Sequence, residues 1–322
     1  MTSRWLRLIR IHTSSLTQAV VLLGFVLAGE RDWRLWSGGA LFAVIYHAAG
    51  FIFNNICDSE YDRRDPAKKH FPLISGEIPL ARAKRLYFFL TLVTLLTGIW
   101  LSKGRALSLI FLVFALAFGH LYNWRSKRDI ISPVYITIAF ISLPLITYFA
   151  HTPMISLLMG LVILYLTFLM MFQIAVEGYM KDIDSDRLSL LGWMGTRYTE
   201  KGKVTVNTAT RVFSWSLKMP AVVLFLLIWS KSQSSRICLV IGLLLVLGMA
   251  WSSVKLLESG FFDNQKRVRL CAVIEILTYF LLVVSLQGRL GWVGLAFFIL
   301  YPLGWFVLLN RLTWGTLVTP RV

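Results

Sequence analysis

The chain has 322 residues, of which 57% are hydrophobic and only 15% charged, whereas soluble domains carry about 25% charged residues. Its apolar residues fall in long continuous runs, which excludes a soluble globular protein and, lacking alternation, a lipid-facing β-barrel. The net charge of +17 is read as the Lys and Arg excess of cytoplasmic loops, not as a nucleic-acid footprint.

In chain order, the basic amphipathic lead MTSRWLRLIRIH enters the first span with no pattern for signal cleavage. Ten apolar spans are expected, at 12–29, 36–56, 85–101, 106–123, 131–150, 154–178, 212–230, 237–256, 270–287 and 291–310. The last two are the weakest, so the expectation is an all-α polytopic transmembrane bundle of about nine or ten spans. With the N-terminus inside, alternation places 25 of the 33 Lys and Arg residues on inside segments and seven outside, and Lys218 within a span. By the positive-inside rule, the N-terminus and both motifs described next face the cytoplasm. No linker, low-complexity segment or internal repeat divides residues 1–322, so one domain is expected. Cys57, Cys238 and Cys271 are scattered, and so are the histidines His12, His47, His70, His120 and His151. Neither a disulfide framework nor a zinc site is expected.

Residues 51–79 read FIFNNICDSEYDRRDPAKKHFPLISGEIP. On a helix Asn54, Asp58 and Asp62 share one face. Carboxylates at the mouth of a membrane span are costly and mark functional sites. Magnesium takes oxygen ligands, using one or two carboxylates and leaving positions for phosphate. The plainer alternative is a solvated helix end with salt bridges to Arg63, Arg64, Lys68 and Lys69. Pro72 and Ser75-Gly76 are expected to turn the chain back.

Between the fourth and fifth spans, HLYNWRSKRDI puts Tyr122, Arg125, Lys127 and Arg128 on the same side; ordinary interface anchoring is the alternative reading for all four. Residues 177–187, EGYMKDIDSDR, repeat the i,i+4 carboxylate pair at Asp182 and Asp186, with Lys181 placed to meet phosphate. The polar segment 188–211 that follows is read as a cap over a site or a mobile loop. No charge comparable to these pairs is picked out near the middle of several spans, which argues against a transporter.

At these residues the chain resembles the UbiA superfamily of intramembrane prenyltransferases. Asn54, Asp58 and Asp62 match its NxxxDxxxD signature, Asp182 and Asp186 its DxxxD signature, and Lys68, Lys69, Pro72, Ser75 and Gly76 its first loop. Two positions depart: Asn55 stands where Asp is common, and Phe71 where Arg is frequent, leaving Lys68 or Lys69 for that basic contact. The resemblance implies a helical bundle around a central cavity that opens laterally to lipid and is capped by cytoplasmic loops. It implies Mg²⁺ and a prenyl diphosphate held between the two Asp motifs, with Arg10 as a further diphosphate ligand. Ionisation to an allylic cation and capture by a lipophilic acceptor, aromatic or not, would follow. A terpene cyclase and a phosphoribosyl transfer to polyprenyl phosphate stand as alternatives on the same fold, and a membrane transporter as one of another class.

Overall fold

The computed structural model describes residues 2–64, 68–126, 128–181, 183, 189–199 and 202–316. Its helices are α1 (Thr2–Ile9), a 3-10 turn (Ile11–Thr13), α2 (Ser14–Leu27), α3 (Trp33–Asp62), α4 (Leu80–Ser102), α5 (Ala106–Arg125) and α6 (Ser132–Phe149). They continue as α7 (Leu157–Lys181), α8 (Thr208–Ser232), α9 (Arg236–Leu256), α10 (Asn264–Ser285) and α11 (Gln287–Trp314). Among the described residues, nine helices are long and apolar enough to cross a membrane. The first expected span is a shorter apolar helix, Ile11–Leu27, which at 1.5 Å per residue reaches only about 26 Å. It compensates by burial: Val20, Val21, Leu23 and Phe25 have no exposed surface.

Side-chain caps set many of the helix starts by satisfying free backbone N–H groups. Asp32 accepts from the N–H of Arg34, Ser156 from Met159, Asn207 from Thr210, Ser235 from Cys238 and Asp263 from Lys266. Outward residues such as Phe88, Leu92, Leu96 and Trp100 on α4, and Leu244, Leu247 and Trp251 on α9, are large, apolar and exposed, as lipid contact requires.

The chain forms two compact units. The first holds residues 1–124, 138–155 and 297–322. In it α2 and α6 approach so closely that a Cβ on Gly24 would meet the Pro144 carbonyl oxygen at 2.2 Å. Thr147 Oγ1 donates to the Val21 carbonyl across this contact at 2.8 Å. Asn123 donates to the carbonyl of Gly50 at 3.2 Å, docking the end of α5 on α3.

The second unit holds residues 125–137 and 156–296. Tyr165 donates to the Thr278 carbonyl at 2.7 Å, joining α7 to α10. The segment after α7, expected as polar loop, is built in its described parts. It contains a helical turn, Leu190–Trp193, and strands β1 (Arg197–Tyr198) and β2 (Lys203–Thr205). With β3 (Gly260–Phe261) they make a small antiparallel sheet in the order β1-β2-β3. Val204 and Leu191 are buried in the apolar cluster that also takes Tyr179, Met180 and Leu256. Buried valine and leucine at these positions dock the segment onto the ends of the long helices.

Candidate functional site

Helix α3 carries the first site. His47, Phe51, Asn54, Asp58 and Asp62 follow one another at three- or four-residue steps and form a single stripe along it. Asn54 and Asp58 are half-buried, and Asp62, the last residue of the helix, is 7% exposed. Lys68 Nζ reaches Asp62 Oδ1 at 2.8 Å. Lys69, expected beside it, is exposed. The chain then turns back as expected: Ser75 N donates to the Phe71 carbonyl at 2.8 Å and Ile78 N to the Pro72 carbonyl at 2.9 Å. Gly76 takes φ +78° there, a conformation that glycine adopts without strain.

Helix α1 is tied to the same end of α3. The Asn55 side-chain amide donates to the Leu8 carbonyl at 3.1 Å and to the Phe51 carbonyl at 2.7 Å. A carboxylate has no proton to give to either oxygen, which explains an amide at this position. Arg7 pairs with Glu77 at 3.1 Å, Arg4 donates to the Glu77 carbonyl at 3.1 Å, and Leu8 packs with Ile52 and Ile78. Arg10 does not open a regular span. It breaks the chain between α1 and the 3-10 turn with φ 46° and ψ 46°. Its guanidinium lies 5.1 Å from the centre of the Phe51 ring, so the cations of Arg10 and Lys68 bracket the stripe. Tyr122, near the end of α5, is half-buried.

A profile of the UbiA prenyltransferase family matches residues 18–267. The chain belongs to the UbiA prenyltransferase family. It is 31% identical over 102 residues to a digeranylgeranylglyceryl phosphate synthase of Sulfurisphaera tokodaii, a match covering 30% of this chain and only 35% of that relative. Among solved structures, a digeranylgeranylglyceryl phosphate synthase superposes with TM-score 0.65 at 20% identity, over 90% of this chain and 99% of that one. An apo UbiA homologue from Aeropyrum pernix K1 gives 0.63 at 18% identity, over 85% and 98%. A UbiA homologue from Archaeoglobus fulgidus bound to DMAPP and Mg²⁺ gives 0.58 at 12%, over 94% and 99%. At these identities the structural likeness speaks for the fold alone.

The second UbiA signature, Asp182 and Asp186, lies outside the described residues, as does Lys127. Among the described residues, no group of three or more His, Cys, Asp or Glu side chains is arranged to hold a metal. Lys181, expected to meet phosphate, pairs with Glu275 of α10 at 3.0 Å. Beside this pair are Glu177 and Lys218, 1% and 3% exposed. Lys218 Nζ donates to Thr278 Oγ1 at 3.1 Å and lies 3.9 Å from the centre of the Phe172 ring. Glu177 falls in a stretch of π-helix, Gln173–Gly178, and π-turns gather at functional sites. The expectation of no charge near the middle of several spans therefore fails: Lys218 and Glu275 sit in the middle thirds of α8 and α10. Neither belongs to a short motif, so spacing gave no signal. The available signal was one of cost, an ionisable residue inside an apolar run.

Proposed function

We propose that this UbiA family member is a Mg²⁺-dependent intramembrane prenyltransferase, moving an isoprenyl group from a prenyl diphosphate to a lipophilic acceptor through an allylic cation. The observation that carries this reading is the α3 stripe of Asn54, Asp58 and Asp62 between the cations of Arg10 and Lys68. The donor set suits the metal. It is all oxygen, and two carboxylates are what magnesium commonly takes from protein when phosphate completes its shell. Asp58, Asp62, Asp182 and Asp186 are assigned as the metal-binding carboxylates, with Asn54 as a neutral oxygen ligand. When bound, the metal neutralises diphosphate charge and so helps the leaving group depart.

The chain's own residues supply the rest. Arg10 and Lys68 offer fixed positive charge to the diphosphate oxygens, and Lys69, Tyr122, Lys127 and Lys181 are assigned as further substrate contacts. Lys181 must share its charge with Glu275 while doing so. The α3 stripe ends at the turn of 68–79, so the diphosphate end of the substrate is held at a helix mouth while its isoprenyl tail enters the apolar bundle. Residues 1–322 are taken as one catalytic domain, with the N-terminus and both Asp motifs cytoplasmic, as the charge distribution favours. An A. fulgidus structural relative holds DMAPP and Mg²⁺, which supports the donor class. The name of the S. tokodaii relative points to a glyceryl phosphate lipid acceptor.

The test is turnover by purified protein with Mg²⁺, a series of prenyl diphosphates of increasing length and a panel of lipid and aromatic acceptors, read by mass spectrometry. Diphosphate release that disappears in Asp58→Asn and in Asp182→Asn, with both variants folded in detergent, is the expected result. Full turnover in both variants defeats the assignment. A cyclic hydrocarbon formed without acceptor identifies a cyclase, and label from phosphoribosyl diphosphate in lipid identifies the phosphoribosyl variant.

A further inference from the structure

We propose that His47 is a positioning residue for Arg10, setting the conformation in which that arginine meets diphosphate. The proposal rests on the reading of Arg10 as a diphosphate ligand. His47 is 8% exposed, in the interior of α3, two helical turns before the carboxylate stripe reaches Asn54. Its ring nitrogens are both engaged. Nε2 lies 3.2 Å from Thr13 Oγ1 and 3.3 Å from the Arg10 carbonyl oxygen, and Nδ1 lies 3.2 Å from Thr17 Oγ1.

The proton inventory closes with one tautomer. Thr13 Oγ1 donates its single proton to the Arg10 carbonyl at 2.8 Å. It therefore faces His47 as an acceptor, and so does the Arg10 carbonyl. Nε2 must carry the ring proton, and Nδ1 then accepts from the Thr17 hydroxyl.

The carbonyl so held belongs to a residue in the left-handed conformation. Arg10 has φ 46° and ψ 46°, the left-handed region that few residues with a Cβ enter. Lys103 and Gln233 are the other described non-glycine residues with positive φ, and both close the C-termini of helices, where that conformation is routine. Arg10 follows the last residue of α1 in the same way, its N–H on the Arg7 carbonyl at 3.3 Å, and its own carbonyl accepts from the Thr13 N–H at 3.0 Å, from Thr13 Oγ1 and from His47 Nε2.

His47 also packs against the ring that meets the other end of the same arginine. Its ring lies 4.5 Å from that of Phe51, the ring over which the Arg10 guanidinium is placed. Main-chain carbonyl and side-chain cation of Arg10 are thus both referenced to His47. A buried histidine serving only to fill space between α2 and α3 needs neither contact.

The test measures binding of a non-hydrolysable prenyl thiodiphosphate with Mg²⁺, steady-state kinetics with the natural diphosphate, and thermal stability, all in detergent. His47→Leu is expected to raise Kd and KM about tenfold with little change in kcat, as misplacement of a binding group does. Thr13→Val, which removes the hydroxyl bond to the same carbonyl and keeps that of the Thr13 N–H, shifts Kd in the same direction and carries the test if His47→Leu does not fold. His47→Gln, which can place an amide proton near the Nε2 position, recovers part of the affinity. The decisive comparison is Arg10→Ala against Arg10→Ala/His47→Leu. If His47 acts through Arg10, the two bind equally, because the second change has nothing left to misplace. Additive losses, or unchanged Kd in both His47→Leu and Thr13→Val, overturn the proposal. Wild-type protein that binds no prenyl diphosphate overturns the functional reading beneath it, which is a separate and distinguishable result.

Discussion

Lys68 Nζ stands 2.8 Å from Oδ1 of Asp62, the residue on which α3 ends. In the ligand-free protein this ammonium balances a carboxylate assigned to the metal. If Asp62 holds the metal as proposed, the ion would take over that balance and leave the ammonium to meet phosphate oxygens. Lys68→Ala is therefore expected to raise KM for prenyl diphosphate roughly tenfold, the worth of one hydrogen bond to a charged group. Its ligand-free melting temperature should fall, and Mg²⁺ alone should restore more of it than in the wild type. Equal Mg²⁺ responses in thermal melts of the two proteins would show that the ammonium and the ion do not exchange places.

Asn55→Asp restores the carboxylate common in the family and is expected to harm this protein. The new side chain would face the carbonyls of Leu8 and Phe51, both now bound by the Asn55 amide. Loss of those bonds with burial of like partial charges should cost about 1–3 kcal/mol and release α1 from α3. Chemical denaturation reports the stability, and protease cleavage after Arg4 or Arg7 reports the release. A variant as stable as wild type with tighter Mg²⁺ binding contradicts the assignment of Asn55 to helix docking.

Lys181 and Glu275 are 94 residues apart in sequence and 3.0 Å apart in space, with each side chain about 30% exposed. Removing either leaves a partly buried charge without its partner, so Lys181→Ala or Glu275→Ala should each destabilise by about 2 kcal/mol. The exchange Lys181→Glu/Glu275→Lys should recover much of that loss. A double variant no better than the sum of the singles, measured as a coupling energy in thermal melts, rejects a direct pair.

His151 and Glu30 give a pH dependence. His151 Nδ1 is 2.7 Å from Glu30 Oε2. Burial, together with the charge of Lys103, outweighs that attraction and holds the imidazole below its ordinary value of 6.5. Glu30 is held below its ordinary 4.5, first by the Asp32 backbone amide and also by that of Arg31. With the folded imidazole value depressed, unfolding takes up a proton as pH falls below about 6.5, so stability declines from there downward. The contribution of Glu30 is present above about 4.5 and is lost as pH falls through its lower folded value. His151→Gln should flatten the upper part of the acid decline in melting temperature and leave the lower part. A decline unchanged in that variant places the titrating group elsewhere.

Much of the fold was legible because hydropathy is local. Each helix that lipid surrounds must be apolar along its own length, so nine of the ten expected spans reappear as membrane-length helices. The tenth, at the N-terminus, is short because protein rather than lipid covers Val20 to Phe25. The three small strands after α7 and α9 were not legible: each is two or three residues long and has no period to detect.

The stripe of Asn54, Asp58 and Asp62 belongs wholly to the sequence, since a four-residue step on a helix puts side chains on one face whatever surrounds it. The resemblance to the UbiA family rested in part on the same residues. Only tertiary structure decided which partners those residues meet. Lys68, not Lys69, turns to Asp62; Asn55 serves α1; Lys181 meets Glu275; and Arg10 takes a left-handed conformation with its carbonyl on His47. Spacing along a chain encodes direction on a helix, but not which distant group will be buried against it. That choice is made by desolvation, which leaves a buried charge or amide stable only where a partner from another helix has been brought within reach.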